Sequence, residues 1–163
     1  MNNSKRSLLG WYALSLLMIV ADQITKTLII GRFDLYDRVA VLPFFDLVRA
    51  HNPGAAFSFL SDAGGWQRIF FVGISSVVSL VLVVWIYRLQ SHQKMQALGL
   101  SLVLGGALGN LYARVAYGYV VDFLLFYYDK YSFPAFNIAD SAITVGAFFL
   151  IVDMIKNPQT GKS

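Results

Sequence analysis

The sequence predicts an all-α membrane protein with four transmembrane helices and a small extracytoplasmic β-element and loop. Three observations lead there. Of 163 residues, 57% are hydrophobic and 13% charged, against about 25% charged in soluble domains. The mean hydropathy is +0.60. The apolar residues fall into four runs, near 8–30, 67–87, 95–112 and 140–155, and a helix of roughly 20 residues crosses a hydrocarbon core of about 30 Å. The whole chain, 1–163, reads as one domain.

The first run lacks a small-x-small cleavage site and is long for a signal-peptide core, so it is expected to be retained. Lys5 and Arg6 precede it, Arg88 and Lys94 flank the loop between runs two and three, and Lys156 and Lys162 follow run four. Four crossings place all three groups on one side, and the positive-inside rule makes that side cytoplasmic. Both termini are then cytoplasmic. The fourth run is short and relies on its polar ends reaching the interface.

The outer segments, near 31–66 and 113–139, hold more than linkers. Residues 39–42, 44–49 and 55–59 read as short strands, broken by Pro43 and by Asn52-Pro-Gly54. Residues 126–128 and 131–133 form an aromatic stretch suited to the headgroup layer. The spacing Gly105-x-x-x-Gly109 lets another helix approach closely.

Composition narrows the chemistry. There is no Cys and no Glu, all nine acidic residues are Asp, and only His51 and His92 carry imidazoles. Thiol chemistry is excluded, a His-rich zinc site has little to draw on, and Asp is the obvious source of acid and base. The net charge of +4 comes from basic residues that are scattered or near helix ends. They read as topology and phospholipid headgroup contacts, not as a nucleic-acid surface.

Depth then brings polar residues together. Asp22 lies fourteen residues beyond Leu8, about 21 Å along a helix, and Asn110 reaches a similar height on run three with Arg114 just above. Asp140 opens run four, while Asn52 and Asp122 belong to the outer segments. Carboxylates at such depth need a reason to be there. Two carboxylates held close share a proton, so Asp122 and Asp140 can act as base and acid on a peptide bond. The plainer readings are a helix cap for Asp140 and an interfacial turn or salt bridge for Asp122.

Each other polar motif also has two readings. Asp22 and Lys26, at i and i+4, form either a snorkelling anchor or a brace for a neighbouring site. Asn52 and Gly54 make a tight turn or bind substrate backbone. Arg114, beside Asn110, meets lipid phosphate or substrate, and Asn137 is a second cap or a peptide ligand. A Ser/Lys scheme using Ser58 or Ser141 with Lys26 or Lys130 has nothing to bring it together, and His51 reads as a polar turn residue.

Five motifs in order resemble the lipoprotein signal peptidases (signal peptidase II) of bacteria. They are Asp22-Gln-x-Thr-Lys26, Asn52-x-Gly-Ala-Ala-Phe-Ser58, Gly105-Gly-Ala-Leu-Gly-Asn110, Gly118-x-Val-Val-Asp-Phe123 and Phe136-Asn-Ile-Ala-Asp-Ser141. The resemblance implies an aspartyl endopeptidase of the inner membrane, with its site toward the periplasm. Such an enzyme cuts diacylglyceryl-modified prolipoproteins before the lipidated Cys. It further implies Asp122 and Asp140 as the catalytic pair, with Asp22, Lys26, Asn52, Gly54, Asn110, Arg114 and Asn137 stabilising the site or holding substrate. No metal or organic cofactor is implied, and a monomer is expected. The chain departs from the family pattern at Ala113 and Leu125, where Asp is usual. Two competing readings are a non-catalytic lipoprotein-binding relative and a small proton-coupled transporter.

Overall fold

A computed structural model of the chain describes residues 3–54 and 66–157. Among the described residues, four helices and four strands follow in order: α1 (Asn3–Arg32), β1 (Arg38–Leu42), β2 (Phe45–Asn52), α2 (Trp66–Arg88), α3 (Lys94–Tyr117), β3 (Val120–Tyr128), β4 (Tyr131–Ser132) and α4 (Ile138–Lys156). All four helices are long and apolar enough to cross a membrane, which makes this a multi-pass membrane protein. The third runs on to Tyr117 rather than ending at 112, and the fourth starts two residues earlier than the apolar run suggested. Arg114 interrupts the apolar run at the first junction, and Asp140 does so at the second.

The central element is α3. Half of its apolar window is buried inside the protein, against 17–22% for the other three. Its glycines explain why. A Cβ on Gly105 would lie 2.8 Å from the Ser15 carbonyl oxygen of α1, and one on Gly109 would lie 2.8 Å from Asp22 Oδ2. The small-residue stripe therefore receives α1 of the same chain. Near the Arg88/Lys94 end, Leu82, Ile86, Leu100 and Leu104 form a closed apolar cluster with Trp11 and Tyr12 packed against it.

At the opposite end sits an antiparallel sheet in the order β1-β2-β3-β4. It is larger than expected. Residues 120–128, part of which was read as an aromatic headgroup stretch, form its longest strand, with Val120 to Phe123 buried. The partner of β3 lies about 70 residues upstream, so no local pattern announces the pairing. The expected strand at 55–59 falls outside the described residues. Val121 and Phe123 pack on Ile29 at the end of α1, and Arg49 Nη1 donates to the Phe33 carbonyl at 2.8 Å. A cation thus meets the carbonyl end of α1, where the helix dipole favours it.

Candidate active site

The register of β2 against β3 pairs Ala50 with Asp122 and Asn52 with Val120. Side chains two apart share a face, so Asn52 and Asp122 project together. Asn52 Nδ2 donates to Asp122 Oδ2 at 3.0 Å, while Asn52 Oδ1 accepts from the Gly54 amide at 2.9 Å. Gly54 needs its φ of +105°, and a Cβ there would lie 2.5 Å from the Phe71 ring. The geometry agrees with the tight-turn reading of this motif, and the turn also supports a carboxylate.

Asp140 arrives from the other direction. The residue that caps α4 is Asn137, and Asp140 is the third residue of a capping box. Asn137 Oδ1 accepts from the Asp140 amide at 3.0 Å, and the Asn137 amide donates back to Asp140 Oδ2 at 3.2 Å. The same asparagine then donates from Nδ2 to Asp122 Oδ1 at 2.6 Å. One residue therefore holds both carboxylates. Asn110 Nδ2 donates to the remaining oxygen, Asp140 Oδ1, at 2.7 Å.

Beneath this pair lies a charged foundation. Lys26 Nζ donates to Asn110 Oδ1 and to Asp22 Oδ2, each at 2.8 Å. Asp22 Oδ1 accepts from the Ala139 amide at 3.0 Å, satisfying one of the open donors at the start of α4. Gln23 Nε2 bonds Asp22 Oδ2 at 2.8 Å and the Gly109 carbonyl at 3.0 Å. Asp22 and Lys26 are 0% and 2% exposed. The snorkelling anchor is thus incorrect: the ammonium turns inward, because Asn110 and Asp22 offer it acceptors that hydrocarbon does not.

Asp122 is 4% exposed. Burial, then the charge of Asp140, pushes its carboxyl up to about 6. Asp140 is half-buried and lines a groove of about 390 Å³ with Phe133, Phe136, Ser141, Thr144 and Val145. The groove is apolar apart from Asp140 and two hydroxyls, and it opens beside the carboxylate pair.

Arg114 stands apart from that hydrogen-bond network. Its guanidinium lies 5.2 Å from the centre of the Phe71 ring; among the described residues its Nη1 donates to the Asn110 carbonyl alone, at 3.4 Å, and its buried Nε has no hydrogen-bond partner. Among the described residues it forms no ion pair. The site thus joins Asp22, Lys26, Asn52, Asn110, Asp122, Asn137 and Asp140 in one network, with Gly54 and Arg114 at its rim. Sequence reasoning missed Gln23, which lies inside a motif that was read, and Phe71, which gave no signal.

Other groups are accounted for elsewhere. Ser141 Oγ donates to the Asn137 carbonyl at 2.9 Å, and Ser58 lies outside the described residues. His51 is a strand residue rather than a turn residue, stacked on Tyr119 at 3.7 Å. Burial, then Arg49, lowers its pKa. Among the described residues no three His, Cys, Asp or Glu side chains gather in a way that could hold a metal.

Four membrane-length helices topped by an antiparallel sheet define the class, a small integral membrane protein with acidic residues gathered at one end of its bundle. The family model for signal peptidase (SPase) II matches residues 14–156, and the chain belongs to that family of aspartic peptidases. It is 53% identical to a lipoprotein signal peptidase of Ectopseudomonas mendocina, over 94% of this chain and 92% of that one. A lipoprotein signal peptidase of Pseudomonas fluorescens is 51% identical over 99% and 96%. A bacterial membrane enzyme solved by the in meso method at 2.3 Å superposes with a TM-score of 0.81 at 31% identity, covering 94% of this chain and 92% of that structure.

Proposed function

We propose that this chain removes signal peptides from prolipoproteins, with Asp122 and Asp140 as the catalytic pair. Family membership supports the activity, and one geometric observation carries the site. Asn137 bonds Asp122 through its side chain and Asp140 through its backbone amide, which keeps two carboxyl groups side by side. Two such groups share one proton. Asp122, buried and shifted to about 6, is the carboxyl that holds it and polarises the scissile carbonyl. Asp140, facing the groove, takes the proton of the attacking water. The proton returned to the departing amine then completes the cleavage.

The remaining network sets the geometry. Asn110 and Asn137 fix the planes of the carboxylates, and Asp22 with Lys26 fixes Asn110. Asn52, Gly54 and Arg114 form the rim that meets the substrate. Lys94, Arg88 and Lys156 lie at helix ends opposite the sheet, which supports a cytoplasmic placement of both termini and a periplasmic placement of the site in the inner membrane. A substrate anchored by its diacylglyceryl group then presents its scissile bond at the groove, and a single chain supplies every residue described. A proton-conducting bundle has no support: the cluster of Leu82, Ile86, Leu100 and Leu104 closes the other half of the protein.

The test compares a diacylated precursor with its non-lipidated counterpart, using wild type, Asp122→Asn and Asp140→Asn in detergent. Wild type is expected to cleave only the lipidated form. Each variant should lose on the order of 10²–10⁴-fold in kcat, the contribution of positioned acid–base groups, while remaining inserted and folded. Full turnover by either variant would remove the pair from the mechanism.

A further inference from the structure

We propose that Phe71, on α2, is a positioning residue for the peptidase reaction: its ring sets Arg114 and the Asn52 turn relative to the carboxylate pair. The inference rests on the reading above for the direction in which the pair faces, but not for which residue performs each chemical step.

Helix α2 stands outside the hydrogen-bond network of the site. Among the described residues, none of its side chains hydrogen-bonds to Asp22, Lys26, Asn52, Asn110, Asp122, Asn137 or Asp140. The ring of Phe71 instead brings α2 to the rim of the site. On one side of Phe71 lies Gly54, so close that a Cβ would stand 2.5 and 2.6 Å from Cδ2 and Cε2. Gly54 in turn donates to Asn52 Oδ1, and Asn52 Nδ2 donates to Asp122. Near the same ring lies the Arg114 guanidinium, 5.2 Å from its centre, within the range of a cation–π contact.

Arg114 has little else to hold its charged end. Among the described residues its guanidinium makes a 3.4 Å bond to the carbonyl of Asn110, and its Nε has no partner. The charges of Asp122 and Asp140 are near enough to act on it, so without a platform the guanidinium would be drawn toward them. The backbone around Arg114 is clamped as well, and again from α2. Arg68 Nε donates to the Arg114 carbonyl at 3.0 Å, and Nη2 donates to the Val115 carbonyl at 2.8 Å. That clamp fixes the end of α3, whereas the ring fixes the side chain. Phe71 thus reaches both arms of the rim, a job an aliphatic residue of equal bulk cannot do for the cation.

The experiment measures turnover of a diacylated precursor by the full chain in detergent. Phe71→Leu is expected to lower kcat/KM by on the order of ten- to a hundredfold, as small displacements in an active site do. Phe71→Tyr, which keeps the ring, should restore most of that loss. In an Arg114→Gln background, Phe71→Leu should cost less than half as much on a logarithmic scale, because the side chain it positions is gone. Phe71→Met, whose flexible side chain adapts better to the gap, serves the same cycle if the leucine variant fails to fold. Strictly additive losses, or a tyrosine variant as poor as leucine, would overturn the proposal. Turnover by Asp122→Asn would instead remove the carboxylate assignment, and the Phe71 cycle would still be readable.

Discussion

Asp122 carries the clearest signature of function at the scale of one residue. Its acidity is weakened to about 6 by burial first and by Asp140 second. A carboxyl whose folded pKa is raised binds its proton more tightly in the folded state than in the unfolded one. Relative to Asp122→Asn, wild type therefore loses stability as pH rises from about 4 to about 6, then stays level above that window. The loss is on the order of 3 kcal/mol for a shift from 3.8 to about 6. Thermal unfolding of both proteins across that range checks the sign. Lys26 makes the complementary case. At 2% exposed, it neutralises a fully buried Asp22, and Lys26→Met leaves that charge alone. Breaking a buried pair in this way costs about 3–5 kcal/mol, so unfolding in detergent should shift sharply downward and activity should fall with it.

At the scale of elements, the site depends on how closely α1 and α4 press on α3. Gly109 has space for a hydrogen and no more, with Asp22 Oδ2 2.8 Å from where a Cβ would stand. Gly109→Ala is expected to cost about 1–3 kcal/mol through overpacking. Because the displaced atom belongs to the brace under Asn110, kcat should fall as well, and paired measurement of unfolding and turnover tests both. The same elements show what the sequence could and could not reveal. Four apolar runs announce four helices, and the i, i+4 spacing of Asp22 and Lys26 places them on one face. The direction in which Lys26 turns was hidden, since it depends on Asn110 of another helix. Likewise β3 pairs with a strand about 70 residues away, and Phe71 acquires its place only when α2 meets the turn at Gly54. The candidate carboxylates were legible from residue type and depth, and so was Asn137 as a cap. That this one asparagine also binds both carboxylates depends on β3 meeting the start of α4.

At the scale of the molecule, charge and apolar surface set its orientation. Exposed Leu17, Ile24, Val77, Leu80, Phe148 and Ile151 form the sides of the bundle, as a hydrocarbon surround requires. The chain has no Cys, so single reporter thiols are unambiguous. A Cys placed at His92, in the loop between α2 and α3, should react with a membrane-impermeant reagent only after the inner membrane is opened. One placed at Lys130, at the turn between β3 and β4, should react in cells whose outer membrane alone is permeable. Labelling of both from the same side would reverse or dissolve the proposed topology.

The capping box at Asn137 has a consequence for biogenesis. The first turn of α4 and the hold on both carboxyl groups share one residue, Asn137, so Asp122 gains that partner only once the start of α4 is in place. A nascent chain with only its first three helices inserted holds Asp122 without Asp140, and the proposed pair is then incomplete. On the proposed mechanism, competence to cut arrives with α4.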